Sequence, residues 1–126
     1  MGLDMYAYRV SKKNRISEVE FKFDENDAYE FFYWRKHHDL HGWMEKLYYA
    51  KGGEDDSFNC VPVELTLEDL DKLERDIKNR KLPHTEGFFF GNFPPDDDSD
   101  KNDFLFIEQA RDYIKKGYAV YYNSWW

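Results

Sequence analysis

Residues 28–51, AYEFFYWRKHHDLHGWMEKLYYAK, decide how the chain is read. On a 3.6-residue wheel Tyr33, Leu40, Met44 and Leu47 fall on one face, which predicts a helix from Ala28 to Lys51. The aromatic portion Phe31 to Trp34 also suits an extended conformation, and both readings stand at this point. Gly42 weakens such a helix by about 1 kcal/mol, which suggests a close packing contact there. Gly52-Gly53 ends it.

On the N-terminal side, Leu3 to Val10 is apolar on both faces and predicts a buried strand. After a polar turn at Ser11 to Arg15, Glu18 to Asp24 alternates: Val19, Phe21 and Phe23 point one way, Glu20 and Lys22 the other. That is a half-solvated strand, expected to pair with the first as a hairpin. On the C-terminal side, Val61 to Leu65 is a short strand that Pro62 assigns to a sheet edge. Thr66 with Asp69 forms an N-cap signature, and Leu67, Leu70, Leu73 and Ile77, with Glu74 the polar member, give a helical stripe that Pro83 stops. Glu68 and Asp69 at its start and Lys78, Arg80 and Lys81 at its end complement the helix dipole. Gly87-Phe88-Phe89-Phe90-Gly91 reads as a short buried strand, and Asn92 to Asp100 as a solvated acidic loop. A helix from about Lys101 to Lys116 follows, with Phe104, Ile107, Ala110 and Ile114 as its buried stripe and Gly117 as its C-cap. Tyr118 to Tyr122 is the last strand. Together these elements predict an α+β fold over residues 1–126 as a single domain: a small, mostly antiparallel sheet with about three packed helices.

Composition narrows the function classes. Eleven Phe, ten Tyr and four Trp in 126 residues supply enough ring surface for a core despite a mean hydropathy of -0.92. With 26 acidic against 18 basic residues the net charge is -8, which disfavours general nucleic-acid binding and favours basic partners. The one cysteine, Cys60, excludes an internal disulfide and a multi-Cys zinc site, as expected in a reducing compartment. No apolar run approaches a membrane span, and Met1-Gly2-Leu3-Asp4 does not open a secretory leader, so no membrane association and a cytoplasmic location are expected.

Three constellations bear on chemistry. His37, His41 and Glu45 stand at i, i+4 and i+8, a spacing that stacks three metal-ligand types on one helical face. The alternative for His41 is a part-buried ring bonded to a carbonyl or to Asp4, with no metal and no cofactor. Trp34, Arg35, Lys36 and Trp43 combine cations with indole faces and suit an anionic or planar ligand. Equally, the two indoles suit the core with Arg35 and Lys36 at the surface. The acidic run Asp96, Asp97, Asp98 and Asp100 reads either as a solvated loop or as a mimic of nucleic-acid phosphates. No phosphate loop, dinucleotide fingerprint or nucleophile elbow is present.

The opening Met1-Gly2-Leu3-Asp4-Met5-Tyr6, the run Trp34-Arg35-Lys36 followed by Leu40, His41 and Trp43, and Gly87 to Gly91 together resemble a family of small bacteriophage and prophage proteins. The resemblance spans nearly the whole chain; the acidic stretch Asp96 to Asp103 departs from the family's tyrosine-rich loop. It implies a phage setting, hence a host-cell cytoplasm, without implying an activity, and it draws attention to Asp4, Trp34, Arg35, Lys36, His41 and Trp43. Two functions follow as expectations. One is a non-enzymatic accessory protein that binds a host or anti-phage defence macromolecule. The other is a ligand-binding or metal-dependent enzyme domain with a pocket around Trp34, Arg35 and His41, with Asp4 beside it.

Overall fold

The computed structural model describes residues 3–11, 28–35, 37–55, 57–82 and 97–125, without the side chains of 97–100. The strand expected at Glu18 to Asp24, the Gly87 to Gly91 triplet, Pro83, Lys36 and the part of the acidic loop up to Asp96 lie outside the described residues. Among the described residues the order is β1 (Asp4–Ser11), β2 (Tyr29–Arg35), α1 (His38–Ala50), β3 (Val63–Leu65), α2 (Leu67–Lys78), α3 (Asp97–Lys115) and β4 (Tyr118–Trp125). The strands form an antiparallel sheet in the order β2-β1-β4-β3, so the fold is α+β.

The long helix expected over 28–51 is therefore two elements. Residues 29–35 are five aromatics with Glu30 and Arg35, a composition that suits a pleated surface better than a helix, where rings crowd the preceding turn. Pairing settles the choice: Trp34 lies opposite Met5 and Tyr33 opposite Tyr6. The alternation shows in exposure, with Trp34 buried between exposed Tyr33 and Arg35. The helical stripe begins only at Leu40, continuing with the buried Met44 and the half-buried Leu47. Gly42 is buried within it.

β1 lies between β2 and β4 and buries apolar side chains on both faces, with Val10 fully enclosed on the side of Tyr6 and Tyr8. Leu3, Met5 and Ala7 are fully enclosed, whereas Tyr6 and Tyr8 are half-buried on the opposite face. Its register against β2 slips after Ala7: Ala7 pairs with Phe32 and Tyr8 with Glu30. The extra residue, Phe31, makes a bulge, and a bulge re-aims the side chains around it. Phe31 and Phe32 consequently both reach Phe106 of α3, with ring centroids 5.9 and 5.6 Å away. At the end of this inner face the Arg9 guanidinium lies over three rings, Tyr29, Tyr113 and Tyr118, at 4.8, 4.9 and 4.5 Å.

All three helices contribute to the core on the inner face: Leu40, Trp43, Met44 and Tyr48 from α1, Leu70, Leu73 and Ile77 from α2, Phe106, Ile107 and Ala110 from α3. α2 starts as expected. Thr66 Oγ1 accepts the Asp69 N–H at 3.2 Å while the Asp69 carboxylate accepts the Thr66 N–H at 2.9 Å. Its stripe begins at Leu70, because Leu67 is exposed. β3 is an edge strand, as Pro62 implies, but starts at Val63. α3 starts at Asp97, earlier than the expected Lys101, so Asp97, Asp98 and Asp100 belong to its first turn rather than to a loop. Acidic residues are favoured in the first turn of a helix, at the positive end of its dipole. Gly117, at φ +99°, closes the helix, and β4 continues past Tyr122 to Trp125.

Candidate functional site

The residues singled out in the sequence separate onto two faces of the sheet. A strand sends successive side chains to opposite sides, so Trp34 and Arg35 diverge, and the expected pocket around Trp34, Arg35 and His41 does not assemble. Trp34, His41 and Trp43 are on the helix side; Asp4 and Arg35, opposite one another in register, are on the other.

On the helix side the polar groups form a buried seam around the start of α1. The Trp34 indole N–H donates to Asp103 Oδ1 at 3.1 Å. The other oxygen of the same carboxylate holds His37 Nε2 at 2.7 Å, just before the helix begins. One turn on, His41 Nδ1 meets the Tyr122 hydroxyl at 2.7 Å, and the His41 ring lies 5.0 Å from that of Phe58. His38 and Asp39 are buried beside them, 3.5 Å apart. Burial pulls the His41 pKa down to about 3 and pushes that of Tyr122 well above its ordinary value. At neutral pH the imidazole is uncharged and the phenol protonated, so neither is set for proton transfer. Their bond joins α1 to β4, as the Asp103 bonds join α3 to β2 and to the start of α1.

Trp43 makes the corresponding link elsewhere: its indole N–H donates to Asp76 of α2 at 2.8 Å. Both indoles are thus core residues with a satisfied N–H. His37 and His41 are likewise bonded, His37 to Asp103 and His41 to Tyr122. Among the described residues no group of three or more His, Cys, Asp or Glu gathers in a way that could hold a metal ion, and Glu45 does not complete one.

Asp103 and Tyr122 were not singled out in the sequence. Asp103 is fully buried although it closes the stretch Asp96 to Asp103, read there as an acidic loop. Its signal was helical phase: it precedes Ile107 by four residues and Ala110 by seven, on the same stripe.

The outer face is different in kind. Tyr33 donates its hydroxyl hydrogen to Asp4, a bond that raises the Tyr33 pKa. Tyr6 lies between Tyr8 and Tyr33, with centroids 6.2 and 5.4 Å away. Trp125, paired with Asp4 across the β1–β4 ladder, is 64 % exposed, Tyr33 is 47 % exposed, and Arg35 is exposed. Further along, Val10, Ala119 and Tyr121 are buried in a second small cluster with Ala28 against it. The outer face therefore runs from a closed apolar end to an open aromatic one.

Comparison with family models, with curated proteins and with solved structures found no match. No described helix is long and apolar enough to cross a membrane.

Proposed function

We propose that the chain is a binding module whose open aromatic face, formed by Tyr6, Tyr33 and Trp125 with Asp4 and Arg35, docks onto a basic surface of a protein partner. The observation that carries this reading is the exposure of Tyr33 and Trp125 beside a carboxylate on one sheet face. Tyr, Trp and Arg are the residues that anchor protein interfaces, because each buries a large area and keeps a polar tip. A net charge of -8 selects for cationic partners and speeds their encounter. Guanidinium and ammonium groups suit this face twice over, stacking on the rings and pairing with Asp4. The resemblance to phage products makes a host or defence protein the first partner to seek, within a host cytoplasm.

The test is a comparison of wild type with Tyr33→Ala/Trp125→Ala, each immobilised at equal density in bacterial lysate, followed by titration of the purified captured protein. The expected result is a partner with a basic contact surface whose affinity falls by about 30-fold or more in the variant, from the loss of two anchors. Both side chains are exposed, so the variant should melt as wild type does. Undiminished affinity in the variant would sink the proposal, as would cross-links that place the partner on the helix side.

A further inference from the structure

The seam between α1 and α2 holds a cleft of about 300 Å³. Trp43, Lys46, Leu47 and Ala50, at i, i+3, i+4 and i+7, supply one wall from a single stripe of α1. Lys72 and Asp76, four apart on α2, supply the other, and Lys81 closes the end. Lys81 is brought there by the way α2 stops. Arg80 takes a left-handed conformation at φ +54°, its N–H donates to the Ile77 carbonyl at 3.1 Å, and the Lys81 N–H turns back to the Asp76 carbonyl at 2.7 Å. This is the paired hydrogen bonding of a Schellman cap, here formed without glycine.

Three of the cleft's lining residues are lysines: Lys46, Lys72 and Lys81. Three lysines elsewhere are paired: Lys51 with Asp69, Lys78 with Glu74, Lys116 with Asp112. Among the described residues Lys46, Lys72, Lys81, Lys101 and Lys115 have no such partner, although acids outnumber bases by 26 to 18 over the chain, and the first three meet at this cleft. The one acid of the cleft, Asp76, is engaged by the Trp43 indole N–H. Three lysines thus line a cleft whose lining also includes the Trp43 indole, Leu47 and Ala50. A ligand that answers this arrangement has a multiply charged anionic head and a planar or apolar body.

We infer that the α1–α2 cleft is a binding site for a small phosphate ester with a planar body, of the nucleoside diphosphate class, its phosphates held by Lys72, Lys81 and Lys46 and its body resting on the Trp43–Leu47–Ala50 wall. The site lies on the helix side of the sheet, so it is independent of the aromatic docking face.

The experiment is an amide NMR titration of the intact protein with adenosine diphosphate, with inorganic pyrophosphate and with adenosine, in low salt. Adenosine diphosphate should give saturable shifts concentrated in residues 43–50 and 72–82, and should bind more tightly than either fragment. Lys72→Gln/Lys81→Gln, two exposed positions, should weaken it by about tenfold or more, since charge-assisted contacts to phosphate are lost. Lys78→Gln, which removes the same kind of charge outside the cleft, should change affinity by less than about twofold. The inference is overturned by an absence of saturable shifts at millimolar adenosine diphosphate, or by pyrophosphate binding as tightly as adenosine diphosphate. Equal losses in the Lys72/Lys81 and Lys78 variants would overturn it as well, because they would reduce the effect to net charge.

Discussion

Removing the Asp103 carboxylate is the sharpest test of the buried seam, because the two ways of seeing this residue differ several-fold in consequence. As a member of a solvated acidic stretch, Asp103→Ala should change stability by no more than about 0.5 kcal/mol. In the structure the side chain is fully buried and accepts from Trp34 Nε1 at 3.1 Å and from His37 Nε2 at 2.7 Å. Truncation strands a buried indole N–H, at about 1–3 kcal/mol, and deletes a second bond worth about 1 kcal/mol net. A destabilisation of about 3 kcal/mol follows, on the order of a 10 °C fall in melting temperature for a domain of this size. Asp103→Asn keeps an acceptor for Trp34 and nearly the same volume, so it should cost only about 1 kcal/mol. Asp112→Ala on the same helix, an exposed acid paired with Lys116, should cost less than about 0.5 kcal/mol. Urea unfolding followed by tryptophan fluorescence and far-UV circular dichroism measures all three. If Asp103→Ala and Asp112→Ala cost the same, or if Asn is no better than Ala, the buried junction is wrong.

Two other features are open to direct measurement. The unfolded chain takes up a proton on His41 near pH 6.5, whereas burial keeps the folded imidazole neutral down to about pH 3. The associated stability is whole above the unfolded value and is lost as pH falls through that window, by up to about 1.4 kcal/mol per pH unit. Urea midpoints taken between about pH 7 and about pH 5.5 should show the decline in wild type and a shallower one in His41→Gln; an identical slope in the two would exclude His41 as its source. Arg80, at φ +54° in the cap of α2, occupies a position where an L side chain is strained. Arg80→Gly should raise the thermal midpoint in calorimetry, through a gain of about 0.5–1 kcal/mol; a loss of stability would mean that the Arg80 side chain contributes more than its backbone costs.

Local signals account for what could be read before the structure. The Thr66–Asp69 box, the stripe Leu70, Leu73 and Ile77, the Gly117 stop and the edge placement of β3 after Pro62 each depend on residues a few positions apart. Those interactions form within one element, so composition and spacing determine them, and with them the α+β class. The division of 28–51 into strand and helix was not legible in this way. Its aromatic half satisfies both periodicities, and only the ladder with Met5 and Tyr6 chooses between them. The candidate site depended still more on distance along the chain. Trp34 meets Asp103 across 69 residues, His37 meets it across 66, and His41 meets Tyr122 across 81. Composition alone gives this protein aromatic rings to bury and carboxylates to spare. Which carboxylate became a buried acceptor, and which rings stayed on the open face, was decided by tertiary structure alone. A carboxylate is stable away from water only opposite donors, and those donors arrive from other elements.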